Sequence, residues 1–223
     1  YIAVTGVQTC ALPIWAAPAA YLPPEDISIS TSTVAPHAAQ SPAAPTTIAN
    51  VPLNELDNRG TEFWLTFPMN HDGVDNTLEF FITSHANTAG IVSIPDLSFS
   101  QAFNVTAGQI TTVTLPAGAE ITSSDEVLDN GIHVTATEEI TVYGLTFDEE
   151  VGVGVTSDAY LGLPTDVLGT DYLVLGYETD DSVDVPGSQF ALVGTQDATT
   201  VVITPTADTW NGSTGRLAGE DYT

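Results

Sequence analysis

From Arg59 onward the apolar residues fall in short runs separated by turn residues, the texture of an all-β protein. Leu78, Phe80 and Ile82 alternate with Glu79, Phe81 and Thr83, which predicts a strand with one buried face. Thr61–Phe67 (TEFWLTF) is apolar too continuously for simple alternation and predicts a strand covered on both faces. A further strand, Ile91–Ile94, follows the turn-like Asn87-Thr88-Ala89-Gly90. In Gln109–Leu115, Val113 and Leu115 share a parity that Ile110 breaks, which predicts a bulge. Ile132, Val134 and Ala136 alternate with His133, Thr135 and Thr137, and Glu138-Glu139 predicts a turn into the strand Ile140–Phe147. Later strands are predicted at Tyr172–Tyr177, Gln189–Thr195 and Thr200–Thr204. No stretch holds helical spacing over three turns; Thr165–Gly169 predicts a short helical turn after Pro164.

Before residue 59 the pattern is absent. Residues 15–58 are rich in Ala, Pro, Ser and Thr, and prolines at 18, 23, 24, 36, 42, 45 and 52 remove backbone donors; a disordered linker is predicted. Residues 4–14, Val4 through Ile14, resemble the in-frame translation of a sequencing-library adapter. Residues 1–14 are therefore set aside from the fold, with no expected packing relation to the β core.

An internal repeat organises the rest. Phe81 to Pro95 parallels Phe190 to Pro205: a strand, a polar turn, a β-branched strand and a terminating proline. Ala107-Gly108-Gln109 parallels Ala218-Gly219-Glu220. The copies lie about 110 residues apart, the size of one β-sandwich domain. The expectation is an antiparallel β-sandwich-type fold with one complete unit at 59–147 and a second at 148–223, truncated at its C-terminus.

Charge narrows the function classes. There are 29 acidic residues against 2 basic ones, Arg59 and Arg216, for a formal net charge of −27. The absence of lysine excludes a P-loop, a Schiff base and a pyridoxal-phosphate anchor. Such a polyanion is repelled by phosphate backbones and anionic lipid, so neither nucleic-acid binding nor membrane insertion is expected. A 43% hydrophobic content is too high for a disordered acidic tail. The single cysteine, Cys10, supports neither a disulfide framework nor a CxxC metal site.

The second half resembles bacterial members of the IgGFc-binding protein N-terminal domain family. The resemblance rests on Gly131–Thr137, Ile140–Leu145, Ala159–Tyr172 and Ser188–Thr195, and loosens back to Gly60–Trp64. It implies an extracellular β-sandwich-type module of large secreted or surface proteins, and it supplies no catalytic residue for any position here.

Side-chain chemistry adds little. His37, His71, His85 and His133 lack HxH or HxxxH spacing, and His133 alternates away from the apolar face of its strand, as a solvated residue does. No nucleophile elbow or dinucleotide fingerprint is present, so no catalytic or cofactor-binding residue is expected. Carboxylates cluster at Asp125-Glu126 with Asp129, at Asp148-Glu149-Glu150, and at Asp180-Asp181 with Asp184. Hard oxygen ligands in loops suit calcium, whose candidate ligands are Asp72, Asp75 and Glu79, or Asp180, Asp181 and Asp184. The sequence thus predicts an exported, non-catalytic adhesion or recognition module of a bacterial surface or secreted protein, binding extracellular protein or glycan through loops at the sandwich ends. The competing readings are a structural spacer in a large surface protein and an acidic carbohydrate-active hydrolase.

Overall fold

The computed structural model describes residues 2–8, 57–70, 76–148, 156–175, 189–210 and 215–223. Their strands in chain order are β1 (Ile2–Gln8), β2 (Gly60–Leu65), β3 (Phe67–Pro68), β4 (Thr77–Thr83), β5 (Thr88–Ile94), β6 (Phe99–Val105), β7 (Ile110–Thr114), β8 (Glu120–Ile121), β9 (Ile132–Asp148), β10 (Thr156–Leu161), β11 (Gln189–Gly194), β12 (Thr209–Trp210) and β13 (Gly215–Arg216). The fold is all-β, and its principal sheet is antiparallel and nearly closed into a barrel.

One strand organises that sheet. The first half of β9 lies between β5 and β2, and its second half between β4 and β10. With β6 beside β5 and β7 beside β4, the two halves form the sheets β6-β5-β9-β2 and β7-β4-β9-β10, joined through a single backbone. This is the sandwich-type architecture the alternation predicts, made by a strand that passes from one sheet to the other at a corner. The predicted turn at Glu138-Glu139 is replaced by continuous strand. The two glutamates occupy the corner, where the pairing with β2 jumps from Thr135 to Ile140. Both are exposed there, so neither carboxylate is drawn into the core as the strand changes sheets.

Two buried hydroxyls satisfy the backbone at that corner. The Glu138 N–H donates to Thr88 Oγ1 at 3.0 Å, and Ser84 Oγ donates to the Glu139 carbonyl at 2.6 Å. Ser84 and Thr88 bracket the link from β4 to β5, which rounds the same corner one strand over. Backbone groups left out of the ladder are paired by side chains instead of water.

The core fills the space between the two sheets. Phe63, Leu65, Val92, Ile94, Phe103, Val105, Ile132 and Val134 face inward from one; Leu78, Phe80, Ile82, Val113, Ile140 and Val142 face them from the other. Phe67 closes one end, its ring 5.3 Å from that of Phe80 and 5.4 Å from that of Tyr160. Two inward positions are glycines, Gly90 and Gly144, each directly opposite an aromatic residue, Phe103 and Tyr160 respectively. A β-carbon on either glycine would overlap that ring, so the aromatic side chain fills the site the glycine leaves empty. Tyr160 places its hydroxyl among buried groups with no partner, and burial raises it well above the ordinary tyrosine range.

Several local expectations change. Ile110 forms no bulge: β4 and β7 pair without a register break, and Ile110 points to solvent at 69% exposure. Thr61–Phe67 does carry cover on both faces from Phe63 onward: Phe63, Leu65 and Phe67 are buried on one, while on the other Thr66 is buried and Trp64 is half-covered by Leu168 and Val193. The predicted helical turn is a 3-10 turn at Thr165–Val167. Residues 172–175 form no strand, residues 176 and 177 lie outside the described residues, and 200–204 contribute only the bridge Ile203–Tyr222.

At the N-terminus, the expectation that residues 1–14 have no packing relation to the core is not met. Ile2–Gln8 pairs antiparallel with Gln189–Gly194. The run IAVTGVQ is uncharged, free of proline and rich in small and β-branched residues, which suits it to an open strand edge. β10, at Thr156–Leu161, adds to the same sheet by pairing with the second half of β9. The linker at 15–58 lies outside the described residues except for its last two. The repeated Ala-Gly turns share one geometry: Gln109 N–H bonds Thr106 O, Glu220 N–H bonds Leu217 O, and Gly108 and Gly219 have φ of 73° and 79°.

The corner yields a test. Thr88→Val keeps the side-chain shape but removes the acceptor for the Glu138 N–H, and should lower stability by about 1–3 kcal/mol. Thr88→Ser, which keeps the oxygen, should lose less; urea unfolding midpoints of the two variants check the order.

Candidate functional site

The two outer sheet faces differ sharply. On the β2–β9 side, Trp64 stacks on His133 with ring centroids 4.3 Å apart and planes 12° from parallel. His133 Nε2 lies 2.9 Å from Glu62 Oε1, and Thr165 Oγ1 donates to Glu62 Oε2 at 3.4 Å. Leu168 and Val193 pack on Trp64, so this face is closed by the chain itself. His133 is thus a stacked and hydrogen-bonded surface residue, not a freely solvated one. The signal in the sequence was the shared outward parity of Trp64 and His133, but their opposition depends on the β2–β9 register, which the sequence does not display.

On the β4–β9–β10 side the outward residues at the end of β9 are apolar, Tyr143, Leu145 and Phe147. Phe81, Tyr143 and Leu161 stand in one cross-strand row, and Leu145 and Phe147 continue along β9. Tyr143 is 44% and Leu161 41% exposed; Phe81, Leu145 and Phe147 are half-buried. Glu79 opposes Leu145 in the ladder and accepts from Thr114 Oγ1 at 3.3 Å. A contiguous apolar surface on a chain of such high charge is the kind of patch that marks an interaction face. The alternation Tyr143, Leu145, Phe147 was visible in the sequence; what it lacked was the neighbouring row from β4 and β10.

Charge is distributed around these faces rather than focused in a cleft. The Arg59 side chain pairs with Asp57 and lies 3.8 Å from Glu139; its hydrogen bonds hold the Asp57 carboxyl below the usual carboxylate range. Arg216 lies 3.3 Å from Asp125 and 4.8 Å over the Tyr222 ring. Burial, then the Asp125 charge, raises the Tyr222 hydroxyl. A hollow of about 260 Å³ at the corner is lined by Arg59, His85 and Glu138 among others. Both cationic side chains are therefore committed to carboxylates.

Of the calcium candidates, only Glu79 is described, on the outer face of β4; Asp72, Asp75, Asp180, Asp181 and Asp184 lie outside the described residues. Among the described residues no three His, Cys, Asp or Glu side chains converge as a metal site. No helix among them is long and apolar enough to cross a membrane.

Trp64 carries more of this region's stability than its polar neighbours. Trp64→Ala, which uncovers Leu168 and Val193, should cost about 2–4 kcal/mol, whereas Glu62→Gln should cost less than about 1 kcal/mol. Thermal and denaturant unfolding of the two variants measure the contrast.

Comparison with known proteins adds one match. Residues 158–223 match the family described as IgGFc binding protein, covering the end of β10, the 3-10 turn, β11 and the segment through β13. This bears out the resemblance read from the sequence over that part of the chain. No curated protein and no solved structure matches the chain.

Proposed function

We propose that this chain is a non-catalytic recognition module that takes a protein ligand, displayed outside the cell on a bacterial surface or secreted protein. The observation that carries the reading is the match of residues 158–223 to the IgGFc binding protein family, whose members bind protein. The apolar row on the outer face of β4, β9 and β10 supports it and gives the ligand a place to sit. That row includes Leu161, inside the matched segment. The face belongs to a sheet rather than to the end loops, and it presents side chains already fixed by ladder pairing, which lowers the entropy lost on binding.

The acidic surface supplies selectivity. At −27 the chain repels anionic partners at long range, and salt of seawater strength shortens the Debye length to a few ångströms. Calcium at Asp72, Asp75 and Glu79, or at Asp180, Asp181 and Asp184, belongs to the same proposal as a local neutraliser.

Two measurements test it. Immobilised immunoglobulin Fc and a panel of extracellular glycoproteins and free glycans should show saturable binding to protein, weakened at least tenfold by Tyr143→Glu or Leu161→Asp with unchanged melting temperature. Binding confined to free glycans, or unaffected by both substitutions, would overturn the protein-ligand reading. Stability should rise with sodium chloride, and if calcium binds it should add stabilisation well beyond that of matched ionic strength.

A further inference from the structure

Glu120 lies on β8, beside Phe67 of β3, and holds both ends of the connection that leads into β4. Its Oε1 accepts from the Asn70 N–H at 3.0 Å and from Asn76 Nδ2 at 2.7 Å. Asn76 is only 6% exposed, and its Oδ1 is buried without a donor. Among the described residues no donor reaches Glu120 Oε2 either. Two acceptor oxygens are therefore left over on side chains already joined by one hydrogen bond.

A buried amide carbonyl with no donor costs about 1–3 kcal/mol. Among the described residues none donates to Asn76 Oδ1, and the neighbouring elements bring no charge to bear on Glu120. Phe67 and Pro68 of β3, Ala117–Ala119 of the preceding 3-10 turn, and Thr77 and Leu78 of β4 carry no ionisable group. Glu79 is turned to Thr114 on the outer face, and both arginines are engaged elsewhere. His71, Asp72 and Asp75 lie outside the described residues. A proton on Glu120 Oε2 supplies what is missing. The acid O–H then donates to Asn76 Oδ1 while Asn76 Nδ2 donates to Glu120 Oε1, a cyclic acid–amide pair that leaves both side chains satisfied.

We infer that Glu120, when protonated, closes this pair with Asn76, forming a proton-dependent latch between the end of β3 and the start of β4. Burial acts in the same direction, raising the carboxyl above the ordinary glutamate value against the lowering effect of the Asn70 and Asn76 hydrogen bonds. The latch therefore stabilises the fold fully below the unfolded glutamate value and is lost as pH rises through the raised one. The inference is independent of the recognition reading, since it concerns stability alone.

The test compares the whole protein with Glu120→Gln, whose amide can make both hydrogen bonds at any pH. The melting temperature of the variant minus that of the parent should be near zero at about pH 4 and grow as pH rises to about pH 7. A difference that is flat, or that falls with pH, would overturn the latch. Carboxyl-carbon NMR of the parent, assigned by loss of the signal in the variant, should give Glu120 a midpoint above the ordinary glutamate range. A midpoint within or below that range would sink the inference. Millimolar calcium at matched ionic strength should leave the midpoint unmoved; a downward shift would mean that Glu120 serves as a cation ligand instead.

Discussion

The pairing of β9 around its corner is the constraint on which the rest of the fold depends. Four strands take their register from this one segment, and both halves of the core face each other only because it changes sheets between Ala136 and Ile140. A strand that bends there leaves backbone groups without ladder partners. Thr88 and Ser84 supply those partners from the adjoining link, so that the inner and outer turns of the corner are held by the same two hydroxyls. The exposed pair Glu138-Glu139 is compatible with the bend because neither side chain is needed inside.

Glycine and aromatic residues adjust the curvature on either side. Gly144 lets Tyr160 lie across β9, and Gly90 lets Phe103 lie across β5. At Gly60 the requirement is different: the departing chain after β10 brings Pro164 against the start of β2, where a β-carbon would overlap its ring. Here β10 ends and β2 takes over beside β9, near Ile140. These close approaches make the sheet wrap tightly enough to enclose a core built from side chains of ordinary size.

The parity of the strands was legible in the sequence because burial on one face imposes period two. Leu78, Phe80, Ile82, Ile132, Val134, Ile140 and Val142 all lie where alternation puts them. What period two cannot report is which strands are neighbours. The opposition of Trp64 and His133, the row formed by Phe81, Tyr143 and Leu161, and the hold of Glu120 on Asn70 and Asn76 each join segments distant in sequence. Strands β6 and β10 were missed because FSQAFNV and TSDAYL are too polar to stand out. Charged pairs misled in the other direction: Glu138-Glu139 reads as a turn when a bulged strand can carry the same residues at its outer bend. The strand at Ile2–Gln8 was set aside because its sequence suggests a foreign origin, and a ladder edge selects for backbone and shape, not ancestry.

The late position of β9 has a consequence for how the chain is made. Synthesis runs from the N-terminus at about 5–20 residues per second, so β2 and β4–β7 leave the ribosome before the strand that separates and aligns them. Until residues 132–148 have emerged, β5 can pair with β6 and β4 with β7, but the two pairs cannot be joined into a sheet with two faces. The interval during which apolar edges stay open is thus set by elongation rate and not by the intrinsic folding rate of any one hairpin. For such a topology, a translational pause placed before the codons of β9 would prolong the most aggregation-prone state, whereas one placed after β10 would give the finished sheet time to close.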